Sequence, residues 1–388
     1  MKRTAVLATL IGLAACQAPG PITIPGITRP PQSADEALEA YYRTLPDDFY
    51  PQAPPGLPLP ADDAALTRIL VGSCLDEEKG ESEALRTVAN TPADLFLMIG
   101  DNVYGDMNGR AYVNNQAELD ELRESFRDLA ARPDFQAVRK AHPMMVAWDD
   151  HDMGANDGGR SFPFRRLSER IHERFWGLAN KDVGAWPGTY YSRIFGPVGK
   201  RTQIIMLDTR FFRSDLTPTD EYGAKGKERY VPSADPNQDM LGNDQWTWLE
   251  NQLQKSADLR FIVSSIQVIP TAHGWESWDK LPEEQQRLYR LINETHANGV
   301  VFISGDRHTG FLYREEGILP YPAYELTASS FNQSFATETD EMDPNQIGAG
   351  YPPNNFGSID IDWEDGSVTL SIHAEDGHTI EQTRDKFR

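Results

Sequence analysis

Four short apolar runs, each ending in a dense polar cluster, constrain the fold of this 388-residue chain more than any other feature. Residues 68–72 run into Ser73-Cys74, and residues 94–99 into Gly100-Asp101-Asn102-Val103-Tyr104-Gly105-Asp106. Residues 143–148 run into Asp149-Asp150-His151-Asp152, then Asn156-Asp157, and residues 300–304 into Gly305-Asp306-Arg307-His308. A strand that is apolar along its whole length is buried on both faces, which is the habit of parallel strands covered by helices. Ligands in such folds bind at the carboxyl ends of the strands. The four clusters are therefore expected to converge on one site.

The rest of the chain agrees with an α/β fold. Helical spacing marks residues 82–89, 117–131, 164–176, 243–254 and 282–298, and strands are predicted over 189–194, 202–207 and 259–264. Near the C-terminus two alternating runs, 358–363 and 367–373, flank Glu364-Asp365-Gly366. Asp-Gly between alternating runs predicts a β-hairpin. Strands alternating with helices, followed by antiparallel strands, predict a β-sandwich of mixed sheets flanked by helices.

The N-terminus follows other rules. Lys2 and Arg3 precede an apolar stretch over 4–15 that ends Leu13-Ala14-Ala15-Cys16. A basic start, a short apolar stretch and small residues form an export signal, and the stretch is too short to span a bilayer. Its end resembles a bacterial lipobox, in which the Cys becomes the lipidated N-terminus. Eleven of the 27 prolines lie between Pro19 and Pro60, so residues 17–60 read as a stiff linker, with a short helix over 34–42. The expected division is a signal peptide over 1–16, a linker over 17–60 and one folded domain over 61–388. The expected location is the cell envelope: exported, lipid-anchored to a membrane, on the outer-membrane or periplasmic side, with Gln17 after Cys16 favouring the outer membrane. With Cys16 acylated, Cys74 has no disulfide partner.

Asp, His, Asn and Cys side chains at strand ends are ligands for hard and borderline cations. One Gly-Asp or Asp-His is an ordinary turn; the whole set in this order is a metal site. A thiolate and a phenolate are both strong anionic donors, and a trivalent cation would deprotonate both. Lys plus Arg number 37 and Asp plus Glu 59, a net charge of −22. That excludes a general nucleic-acid binder, which needs a basic face. It also means that an anionic substrate is met by something other than the overall field, and bound cations are one answer. Gly-x-Ser-x-Gly and Cys-x-x-Cys are both absent, so serine-hydrolase and zinc-ribbon readings lack support.

The order of motifs resembles the calcineurin-like metallophosphoesterases. Gly100-Asp101, Asp149-Asp150-His151-Asp152 and Gly305-Asp306-Arg307-His308 stand where that superfamily has Gly-Asp, Gly-Asn-His-Asp and Gly-His-x-His. The early Asp-x-His is replaced by Gly72-Ser73-Cys74. These departures are similar to the alkaline phosphatase D, or PhoD-like, family, as are Trp148 and Leu207-Asp208-Thr209-Arg210-Phe211-Phe212-Arg213.

The resemblance implies a metallophosphoesterase-type β-sandwich and hydrolysis of phosphate monoesters or diesters by metal-activated hydroxide. It implies Cys74, Asp101, Tyr104 and His308 as ligands of Fe3+, with Asp101 bridging to a second site that holds Asp150, Asp306 and, more loosely, Asn156, where Ca2+ is expected. A two-metal Zn, Mn or Mg site is the alternative. His151 is expected to donate a proton to the leaving group, with Asp152 orienting its ring. Gln267 replaces a missing His as ligand or substrate contact, and Arg210 has the planar fork to clamp a phosphate, with a structural ion pair as the alternative. His273 lies in a polar aromatic loop, and regions 105–120, 211–240 and 330–356 are expected at the pocket rim. The expected substrate is a small phosphate ester; no protein partner is legible. A surface-anchored metal-binding lipoprotein without catalysis is the competing function, and His151 argues against it, because a structural metal site needs no acid beside its ligands.

Overall fold

The computed structural model describes residues 33–387 except 110, 115, 179–182, 184–186 and 336–340. Cys16, the predicted signal peptide and the first part of the predicted linker lie outside the described residues. The chain divides into two compact units, Met1–Leu45 and Pro46–Arg388. The described part of the first holds helix α1 (Ala34–Tyr42), whose first turn carries Asp35 and Glu36 and whose cap, Ser33, accepts from Glu36 N at 3.1 Å. Residues 46–60, expected to continue the linker, belong to the larger unit: Ala53 N donates to Phe175 O at 3.1 Å, and Arg139 Nε donates to Pro54 O at 3.2 Å.

The larger unit holds two mixed sheets. The first has strands β1 (Arg68–Gly72), β2 (Leu95–Ile99) and β5 (Met144–Ala147) in parallel, with a small hairpin, β3 (Met107–Asn108) and β4 (Ala111–Tyr112), in the loop between β2 and β5. The second contains β6 (Tyr191–Phe195), β7 (Thr202–Met206), β8 (Leu259–Val263), β9 (Val300–Ser304), β10 (Gly310–Glu315), β11 (Ala323–Thr327) and β12 (Gln346–Tyr351), in the order β12-β10-β11-β9-β8-β7-β6. Its centre, β7-β8-β9-β11, is parallel. Strands β13 (Asn355–Asp362), β14 (Ser367–Ala374) and β15 (Thr379–Lys386) return to the first sheet, giving β15-β14-β13-β1-β2-β5. The predicted hairpin is β13-β14, closed by the pair Asp362↔Ser367 with Gly366 at φ +68°. The sheets pack face to face where β10 and β11 meet β13 and β14.

Strands β2 and β9 are buried at every residue, as their apolar runs require. Helices α7 (Gly242–Leu253) and α8 (Pro282–Glu294) cover the second sheet through Trp246, Leu249, Leu288 and Ile292, packed with Ile262 and Phe302. Each such side chain contributes about 1.5–3 kcal/mol by leaving water. Among the described residues no helix is long and apolar enough to cross a membrane.

The strand ends lie close together because the backbone there is small. A Cβ on Gly305 would sit 2.5 Å from Ser73 Oγ, and one on Gly100, at φ +112°, would sit 2.8 Å from Asp149 Cβ. Glycine at these two positions lets the loops after β1, β2, β5 and β9 meet.

Candidate metal centre

The loop after β1 is fastened to the loop after β2: Cys74 N donates to Gly100 O at 3.3 Å and Leu75 N to Asp101 O at 2.9 Å. This brings Cys74 Sγ to 3.4 Å from Asp101 Oδ2. Tyr104, three residues on, places its hydroxyl 3.3 Å from the same carboxylate oxygen and 3.0 Å from His308 Nε2. His308 arrives from the loop after β9, with Nε2 4.0 Å from Asp101 Oδ2. Cys74, Asp101, Tyr104 and His308 thus converge, and all four are buried. Cys74, Asp101, Asp306 and His308 have φ of +58°, +47°, +65° and +53°. Left-handed backbone at non-glycine residues costs about 1–3 kcal/mol each and clusters at functional sites.

A second group shares Asp101. One carboxylate oxygen from each of Asp101, Asp149, Asp150 and Asp306 lies within 4.8 Å of the others. Burial pushes the carboxyl groups of Asp101 and Asp306 well above the usual range, and neighbouring carboxylates push the same way. Burial also pushes Asp150 up, but Arg210 and His151 outweigh it and hold that carboxyl low. Burial raises Cys74 and Tyr104. A cation relieves these penalties, because it favours thiolate, phenolate and carboxylate over their protonated forms. Asp101 Oδ1 and Asp149 Oδ2 are buried without a hydrogen-bond donor, which is costly unless an ion takes them. The donor set fits metal chiefly in two overlapping groups, one with sulfur, phenol and imidazole and one with carboxylates alone; His151 also lies within 4.8 Å of Asp101 and Asp150, and Asp157 and Glu276 of Asp150.

A model of the PhoD-like phosphatase family matches residues 69–161 and 187–371. The chain belongs to that family. Alkaline phosphatase D of Bacillus subtilis (strain 168) is 26% identical over 288 residues, covering 66% of this chain and 48% of that protein. The chain thus spans about half the length of this curated relative. A solved structure of PhoD covers 85% of the chain, and the chain 72% of it, with a TM-score of 0.64 at 17% identity; this likeness shows the fold.

Some expected residues of the PhoD-like motifs stand elsewhere or do other work. Asp152 does not orient His151. Its carboxylate accepts from Asn102 N at 3.1 Å and Asp149 N at 2.8 Å, tying the loops after β2 and β5 together and capping the short helix α5 (Asp150–Met153). The partner of His151 is Asp106, whose Oδ1 lies 2.5 Å from Nδ1. Burial alone would lower the His151 pKa, but Asp150, Asp101 and Asp106 outweigh it and raise the imidazole well above its ordinary value. The Tyr104 and His151 ring centroids are 4.2 Å apart.

Asn156 Oδ1 accepts from Tyr112 OH at 2.7 Å. Its neighbour Asp157 is nearer the site, but Arg229 Nη1, at 2.9 and 2.7 Å, and Tyr230 OH, at 2.6 Å, donate to its carboxylate. Gln267 is fully buried in a structural network, donating to Thr327 Oγ1 at 2.9 Å and Tyr313 OH at 3.1 Å, with Oε1 3.0 Å from His273 Nε2. It has no free atom to meet a substrate, and His273 is consumed with it. Arg210 is enclosed behind the carboxylates rather than open to a phosphate.

Sequence reasoning missed three residues. Asp149 was visible as the first of an Asp pair, and Asp106 as the end of the 100–106 cluster. Glu276, in the aromatic loop 271–278, carried no signal.

Proposed function

We propose that this PhoD-like protein is a metal-dependent hydrolase of small phosphate esters. The observation that carries the reading is His151, held by Asp106 directly beside a buried, charge-crowded donor set. A purely structural metal site has no use for such a residue. Cys74, Asp101, Tyr104 and His308 would hold one metal, and Asp101, Asp150 and Asp306, joined by Asp149, the other. The thiol and phenol suit Fe3+ at the first, and the all-oxygen set suits Ca2+ at the second, with Zn, Mn or Mg pairs as the alternative. When bound, such cations polarise phosphoryl oxygens and activate water for in-line displacement.

The chain's own residues do the rest. The carboxylates fix the charge and place of the site. With Nδ1 bonded to Asp106, Nε2 of His151 is the nitrogen left to carry a proton to a departing alkoxide, a contribution typically of 10²–10⁴-fold. A phosphomonoester and a phosphodiester, assayed before chelation, after it, and after metal is restored, test the reading. Metal-dependent turnover of either supports it; a folded, metal-loaded protein that hydrolyses neither rejects it.

The same reading extends to location. The lipobox-like Leu13-Ala14-Ala15-Cys16 supports export with an acylated Cys16 as the mature N-terminus and a membrane anchor. Mass spectrometry of the mature protein tests this, and an intact Met1 or a cut elsewhere would reject it.

A further inference from the structure

Arg210 is 0% exposed and faces four carboxylates. Nε bonds Asp149 Oδ1, and Nη1 is 2.6 Å from Glu276 Oε2. Nη2 points between Asp150 Oδ1, at 3.6 Å, and Asp306 Oδ1, at 4.0 Å. Glu276 is gripped from its other side by Arg213 Nη2 at 2.8 Å, and that nitrogen also donates to the carbonyls of Asp157 and Gly158. The guanidinium is therefore held from behind by Glu276 and presents its remaining edge to the carboxylate group.

We propose that Arg210 is a positioning residue for the all-carboxylate metal site, a built-in counter-cation that aligns Asp149, Asp150 and Asp306 and holds them in place for a divalent cation. The inference rests on the metal reading above. Its physical basis is the pairing of distances. The bond to Asp149 is short and directional, so that carboxylate is fixed. The separations from Asp150 and Asp306 exceed hydrogen-bond length, so Arg210 attracts them without claiming the oxygens that a metal would use. Guanidinium stays charged at any working pH, so this compensation is permanent. Lysine carries one point charge and cannot reach Asp149 and Glu276 at once. Removing the charge leaves buried carboxylates unpaired, which is strongly destabilising.

The test uses the chelated protein, titrated with Mn2+ by calorimetry, and thermal unfolding of the same samples. In Arg210→Lys, Mn2+ binding at the carboxylate site is expected to weaken about 10–100-fold, the usual cost of losing an outer support of a metal ligand. Arg210→Met is expected to weaken it at least as much and to lower Tm without metal. Adding Glu276→Gln to Arg210→Met restores part of that Tm but not the Mn2+ affinity, because charge balance returns and alignment does not. If Arg210→Met does not fold, Arg210→Lys and its affinity decide. Unchanged Mn2+ affinity in Arg210→Lys, or a loss confined to inhibition by inorganic phosphate, overturns the inference while leaving the metal reading intact. A wild-type protein that binds no Mn2+ overturns both.

Discussion

His151 Nδ1 and Asp106 Oδ1 are 2.5 Å apart, and both side chains are buried. Asp106 comes from the loop after β2 and His151 from the short helix after β5, so the imidazole is aimed by a carboxylate 45 positions away in sequence. Asp106→Ala frees the ring and is expected to lower kcat about 10–100-fold with metal content unchanged. His151→Ala should lose about 10²–10⁴-fold, most for substrates with basic leaving groups and least for nitrophenyl esters. If His151→Ala loses metal as well, His151 is a ligand and not an acid.

Asp101 is the one carboxylate shared by both donor groups. Asp101→Ala is expected to lose metal and all activity together, read by elemental analysis beside the assay. A variant that keeps its metal content would rule out Asp101 as a shared ligand.

With ferric iron held by Cys74 and Tyr104, as proposed, the purified protein absorbs visible light through ligand-to-metal charge transfer. Tyr104→Phe then shifts or bleaches the band. A colourless, active protein containing only zinc or manganese would rule out iron and leave the site in place.

His172 is fully buried against Phe126, Trp148 and Trp176, and burial lowers its pKa from 6.5 to about 3. Between those values the unfolded chain takes up a proton that the folded chain refuses. Stability is complete above about pH 6.5 and falls as pH drops toward 3, by about 1.4 kcal/mol per pH unit. His172→Phe should remove this dependence and narrow the stability gap between pH 7 and pH 5 by about 2 kcal/mol. Denaturant midpoints that fall with pH as steeply as in the wild type would contradict it.

Arg132 ties down the segment after Cys74. Its guanidinium donates to the carbonyls of Glu77 at 3.0 Å, Lys79 at 2.8 Å and Gly80 at 3.0 Å, and pairs with Asp134 at 2.7 Å. Arg132→Ala leaves a buried carboxylate and several carbonyls unpaired and is expected to cost about 3–5 kcal/mol, seen as a lower Tm.

The parallel strands were legible because double-sided burial writes itself as an unbroken apolar run; the predicted spans 68–72 and 300–304 coincide with β1 and β9. Strand β11, central in the second sheet, was not legible. Its middle residue is Glu325, whose buried carboxylate accepts from Val268 N, Ile269 N and Ser304 Oγ, so the strand breaks the apolar pattern for a reason that only the folded neighbours supply. Helix α4 (Pro133–Ala141) was passed over for a different cause: only Asp134, Phe135 and Val138 are buried, too few for a clear period. In the site, residue types at strand ends announced the donors. Which carboxylate holds which partner did not show, because Asp106, Asp152 and Glu276 act through contacts between loops distant in sequence.

The positive φ angles at Cys74, Asp101, Asp306 and His308 have a consequence for inheritance. At each of these positions glycine would relieve a backbone penalty of about 1–3 kcal/mol, so the fold on its own terms would prefer another residue. What each position holds in return is a donor side chain. Where selection for activity is relaxed, substitution to glycine at these four places is therefore penalised less by the backbone than at the strand residues beside them, while each one removes a donor.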